Sequence, residues 1–157
     1  MQNTKSPTIQ NLEAAFAGES MAHIKYMWFA RQCRKVGDEA TAKVFEDTAA
    51  QEILHAFGHA ELLFSDETMT PAKCLQYAIE GETYEYAEMY PKFRHEAMIE
   101  GNTAAVAEMD EQIAESKEHA EMFRSVLEKA AKRFAALAKV EEKHAKYYQA
   151  QKDAIAA

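Results

Sequence analysis

Glycine and proline are scarce in this sequence, at five and three of 157 residues. So few turn-formers exclude the hairpin-rich all-β architectures. With Ala, Glu, Lys, Met and Gln plentiful, the composition predicts an all-α chain about the size of one domain. Cysteine occurs twice, as Cys33 and Cys74, with no Cys-x-x-Cys spacing. That rules out a four-thiolate iron or zinc site and a disulfide framework, and both thiols are expected to be reduced in a cytoplasmic protein. No apolar run approaches the roughly 20 residues of a membrane span, and no charged-then-apolar leader opens the chain, so no membrane partner is expected. Positive charge is in deficit, with 18 Lys and Arg against 26 Asp and Glu, a net charge of -8. A nucleic-acid partner bound by phosphate neutralisation is therefore not expected, whereas cation binding suits the balance.

What is present is helical periodicity. Residues 1–8 are polar and expected as a flexible tail, residues 9–151 as one domain, and residues 152–157 as a second tail. A seam through Ile9, Leu12, Phe16, Glu19, His23, Tyr26, Ala30 and Cys33 predicts a long helix ending near Gly37. Asp38 is placed to cap a second helix that fades after Phe64. Thr70 and Pro71 open a third, which Pro91 should kink and Gly101-Asn102 should stop. From Thr103 to about Gln151 there is neither Gly nor Pro, which means one very long helix or two with an inconspicuous break. Long helices with short connections predict a bundle.

The second helix contains Glu52-x-x-His55, a carboxylate and an imidazole on one face and on the apolar seam. The pattern Phe45, Glu52, His55, Ala56 returns as Phe134, Glu141, His144, Ala145. A partial copy lies between them as Met109, Ser116, His119, Ala120, with serine at the Glu position and Glu115 and Glu118 flanking it. Likewise Phe16-Ala17-Gly18-Glu19-Ser20 is similar to Ile79-Glu80-Gly81-Glu82-Thr83. The chain reads as a duplicated two-helix hairpin with an extra helical segment, residues 103–130, near its end.

Glu19, Glu52, His55, Glu82, Glu85, Glu141 and His144 all fall on predicted seams. One such glutamate alone reads as a helix-edge residue reaching solvent, but five carboxylates and two imidazoles are too many to bury empty. Two metal ions would neutralise most of the charge, with carboxylates bridging and one imidazole per ion. Mixed Glu/His ligation favours iron, with manganese as the other metal it suits; zinc more often takes N and S donors, and calcium takes oxygen alone.

Four stretches then carry a family resemblance. Phe16-Ala17-Gly18-Glu19-Ser20, Glu52-x-x-His55, Gly81-Glu82-Thr83-Tyr84-Glu85-x-x-x-Met89-Tyr90-Pro91 and Ala138-Lys139-Val140-Glu141-x-x-His144 resemble the di-iron domain of rubrerythrins, from Ile9 to Tyr148. The resemblance implies a ferritin-like four-helix bundle, here with an extended or additional C-terminal helical segment. It implies a non-haem di-iron peroxidase that reduces hydrogen peroxide to water as a diferrous site becomes diferric. Glu19, Glu52, Glu82, Glu85 and Glu141 would be carboxylate ligands, with His55 and His144 the imidazoles. Glu85 matches a carboxylate that exchanges with the imidazole matching His55, and Tyr26 and Tyr90 match tyrosines that hydrogen-bond to ligand carboxylates. Rubrerythrins usually carry a four-cysteine rubredoxin domain, and with two cysteines here the electrons are expected from an external donor such as a rubredoxin-like protein. Ferritin-like iron storage, a di-iron oxygen-activating oxidase and a non-enzymatic helical module are the alternatives.

The last ligand pair is geometrically open. In the family the final glutamate follows the position of Glu85 by about 30 residues, which here reaches Glu115 and the neighbouring His119. If the chain from Thr103 were one straight helix, Glu141 would overshoot Glu85 by roughly 30 Å. Either the helix breaks, or a partner subunit of a helix-swapped homodimer receives Glu141 and His144, or Glu115 and His119 form the real pair. The seam favours Glu141 and His144.

Overall fold

The computed structural model describes residues 5–156, so part of the expected 1–8 tail lies outside the described residues. Five α-helices and one π-helical turn follow in order: α1 (Pro7–Lys35), α2 (Glu39–Leu63), α3 (Pro71–Tyr84), the π turn (Glu85–Met89), α4 (Tyr90–Ile99) and α5 (Thr103–Ala156). The architecture is all-α, with the four helical rods of a ferritin-like chain and an extended C-terminal segment on the last of them. The chain divides into two compact units, residues 1–69 and 70–157.

Local chemistry sets the helix boundaries. α1 begins at Pro7, with the Ser6 hydroxyl accepting from the Ile9 amide. It ends in a Schellman turn: the amide of Gly37 donates to Arg34 and that of Asp38 to Cys33, with Gly37 at φ 82°. The Asp38 carboxylate then accepts from the Thr41 amide at 3.0 Å and opens α2. α4 and α5 are joined the same way. Gly101, at φ 71°, lets the Asn102 amide reach the Ala97 carbonyl, and the Asn102 side chain caps α5 through the Ala105 amide.

The first unit is a helical hairpin with a core of small residues. Ala42, Ala49 and Ala56, spaced by seven along α2, are fully or almost fully buried, as is Ala30 of α1. Side chains this small let the two backbones approach closely. Such a hairpin covers only its seam, and Met21, Trp28, Leu54 and Phe57 remain more than half exposed. His23 ties the helices together by donating from Nδ1 to the Ala49 carbonyl at 2.8 Å. At the turn end of the hairpin, Arg34 pairs with both Glu39 and Glu46.

In the second unit the expected kink at Pro91 takes a specific form. Proline lacks the amide that would bond the carbonyl four residues back, and its ring crowds that carbonyl. The wider π turn Glu85–Met89 comes immediately before α4, which has Pro91 in its first turn. α3, the π turn and α4 pack along α5, burying Ala97, Ser116 and Ala120. Arg94 of α4 grips Asp110 of α5 through two bonds, at 2.5 and 3.1 Å.

α5 is one unbroken helix of 54 residues, which settles the choice between one helix and two. It also runs on as far as Ala156 within the stretch expected as a 152–157 tail, since nothing before Ala156 disfavours helix; residue 157 lies outside the described residues.

Candidate metal centre

Glu19 of α1 and Glu52 and His55 of α2 come together in the first unit. His55 Nδ1 donates to Glu52 Oε2 at 3.0 Å and lies 4.0 Å from Glu19 Oε2. Glu52 is the most enclosed of the three, its side chain 17% exposed. One ligand atom from each residue lies within 4.8 Å of the others, close to twice a metal–oxygen bond of about 2.2 Å. Two carboxylates and an imidazole converging at that separation fit a first-row divalent ion. Tyr26 lies in an aromatic cluster of the same hairpin, its ring centroid 5.9 Å from Phe45 and 6.3 Å from Phe29.

The second unit echoes part of the arrangement with other residues than those the seam favoured, although among the described residues only Glu19, Glu52 and His55 bring three ligand atoms together. His119 Nδ1 of α5 lies 3.5 Å from Glu82 Oε1 of α3. One turn earlier on α5, Ser116 donates from its hydroxyl to Glu85 Oε2 at 3.0 Å. Glu82 with His119 and Glu85 with Ser116 thus make two facing pairs about one turn apart. Around them, Arg124 donates to Thr83 at 2.7 Å, and hydrogen bonds from Arg124 and Thr83 hold the Tyr86 phenol below its ordinary pKa. The Tyr90 phenol is pushed up, first by burial and then by the carboxylates of Glu85, Glu82 and Glu108.

Glu141 and His144 lie elsewhere. Because α5 does not break, His144 sits 25 positions beyond His119 on the same helix, about 37 Å away. Both side chains are open to solvent, at 76% and 60%, and they face each other at 3.9 Å. Within this unit α5 therefore does not bring them to Glu82 and Glu85. Of the alternative pair, Glu115 and His119, only His119 meets a carboxylate of α3. Ser116 carries no charge, so a count of ionisable groups does not include it. Its signal was the partial repeat, in which it takes the register of Glu52.

A family model described as Rubrerythrin matches residues 10–127, and the chain belongs to that family of ferritin-like di-iron proteins. The chain is 40% identical over 111 residues to the nigerythrin of Nitratidesulfovibrio vulgaris, a match covering 63% of this chain and 55% of that protein. It is 37% identical over 107 residues to a rubrerythrin of Porphyromonas gingivalis, covering 61% and 54%. The chain thus spans about half the length of these curated relatives. Among solved structures, nigerythrin in its fully reduced, all-ferrous state is 32% identical, covering 83% of this chain and 70% of that one, with a TM-score of 0.40. The family match runs into α5 as far as residue 127, and residues 1–9 and 128–157 lie outside it.

Proposed function

We propose that the chain is a non-haem di-iron peroxidase, reducing hydrogen peroxide to water with electrons from an external donor protein. The observation that carries this reading is the Glu19, Glu52 and His55 cluster of the first unit, echoed in the second by His119 beside Glu82 and by Glu85 one turn away. Each set would hold one ion, through carboxylates and one imidazole, which suits iron and also manganese. Family membership and the identity to nigerythrin and rubrerythrin support the oxidoreductase class.

Two ferrous ions held by these residues would supply the two electrons that split the O–O bond, and would polarise it as Lewis acids. The side chains do the rest. Tyr90, its phenol pushed up by burial and by the nearby charges of Glu85 and Glu82, would be a hydrogen-bond donor to a ligand carboxylate. Glu85 is the carboxylate best placed to change ligation and to carry a proton, since one of its oxygens rests against a hydroxyl rather than an imidazole. Tyr26, which matches a family tyrosine of the same kind, would have the corresponding donor role in the first hairpin.

Glu141 and His144 are not included in this donor set. They belong to a helical segment whose Phe134, Leu137 and Tyr148 are 70%, 50% and 69% exposed, which supports a homodimer that associates or exchanges helices through α5. Two free cysteines support a reducing, cytoplasmic setting, and no helix among the described residues is long and apolar enough to cross a membrane. Anaerobic titration with ferrous ion tests the donor set. Two equivalents bound per chain are expected, and none bound contradicts the proposal.

A further inference from the structure

We infer that Ser116 is a positioning residue for Glu85, standing in the register where the first hairpin has a carboxylate of its own. This rests on the di-iron reading above and adds to it a group that is not a ligand. The register comes from the repeat and from packing together. Glu52, His55 and Ala56 align with Ser116, His119 and Ala120, and the two alanines are 1% and 0% exposed at equivalent points of their helix pairs. Both histidines address a glutamate of the facing helix, Glu19 for His55 and Glu82 for His119. A serine therefore occupies the place of Glu52 in the second unit.

A helical serine or threonine ordinarily sends its hydroxyl to the carbonyl one turn back. Ser20 does so with Phe16 at 2.7 Å, and Thr48 with Val44 at 2.9 Å. Ser116 does not. It is 3% exposed, and its hydroxyl crosses to Glu85 Oε2 on the π turn at 3.0 Å. Glu85 is a long side chain with several rotamers, leaving from the first residue of a widened turn. A buried donor on one of its oxygens selects among those rotamers and leaves the other oxygen available to an ion. What the first hairpin achieves with Glu52 beside His55, the second achieves with a carboxylate from the opposite element, held by a hydroxyl. The substitution also leaves four carboxylates, Glu19, Glu52, Glu82 and Glu85, whose charge matches two divalent ions.

Titration of the metal-free protein with Co2+, followed by calorimetry and by visible absorption, tests this. In Ser116→Ala two ions should still bind, with one of them weakened about tenfold and its absorption band shifted, as for removal of other groups that orient a metal ligand. Alanine is the better helix former, so thermal stability should not fall in step. In a Glu85→Ala background, removing Ser116 should change affinity by less than twofold, because the group it holds is gone. Equal affinity in wild type and Ser116→Ala overturns the inference, as does an undiminished tenfold loss in the Glu85→Ala background. If the wild-type protein binds no Co2+, the di-metal reading itself fails, a result distinct from either of these.

Discussion

In the second unit His119 stands to Glu82 as His55 stands to Glu19 in the first: Nδ1 is 3.5 Å from the Glu82 carboxylate there and 4.0 Å from the Glu19 carboxylate here. Each pair joins a helix bearing a Gly-Glu step to one bearing the histidine, followed by a buried alanine. A duplicated hairpin with one imidazole per copy is an economical source of two similar metal sites. It also separates the residues that belong to the repeat's packing from Glu141 and His144, which share its spacing but have no facing helix within the unit.

That distinction predicts the metal content of variants. Glu82→Ala and His119→Ala should each bring bound iron down from about two per chain toward one, because each removes a ligand from a set of three. Glu141→Ala and His144→Ala should leave it unchanged. Elemental analysis of protein reconstituted anaerobically measures this directly. Loss of iron in the Glu141 variant, with none in the His119 variant, would move the site to the far part of α5.

The close approach of α1 and α2 rests on alanines, so enlarging one should destabilise the hairpin. Ala49 is completely buried and its carbonyl accepts from His23, which leaves a larger side chain no room. Ala49→Leu should cost about 1–3 kcal/mol in urea denaturation. Ala135→Leu, on the exposed part of α5, should stay within about 0.5 kcal/mol.

Acid should weaken the fold through three named carboxylates. Asp38 is held below its ordinary pKa by the Thr41 amide, Glu46 by the Arg34 guanidinium, and Asp110 by the Arg94 guanidinium. Their folded pKa values lie below the unfolded ones. Their contribution is therefore complete above the ordinary carboxylate range, roughly pH 4, and is lost as pH falls through the depressed values. Melting temperatures recorded against pH should be flat near neutrality and fall on the acid side. Asp110→Asn should flatten that fall; a mutant as acid-sensitive as the parent would show that the Arg94–Asp110 pair contributes nothing to it.

The boundaries were legible in the sequence because their causes are local. Asp38, Thr70-Pro71, Gly37 and Gly101-Asn102 each set a helix end through contacts within a few residues, and each end falls where those residues predict it. Glu52-x-x-His55 was legible for the same reason, since three-residue spacing alone puts both groups on one face. The choice between His119 and His144 was not local. Both follow the same repeat and lie on or beside one seam, and what separates them is how far a helix without Gly or Pro continues. Ser116 was hidden by its chemistry: a search for ionisable groups passes over a hydroxyl, although the repeat marks its position. Pro91 marks where the helix is interrupted, but a missing amide is compatible with a kink, a break or a widened turn, and the π turn beginning at Glu85 is one of these outcomes.

Stopped-flow oxidation of the anaerobic, iron-loaded, fully reduced protein by hydrogen peroxide and by dioxygen tests the central claim most directly. The account predicts that peroxide oxidises the protein much faster than dioxygen at equal concentration, with one peroxide consumed for each pair of ferrous ions. Faster oxidation by dioxygen would contradict it and assign the chain to oxygen activation or iron storage instead.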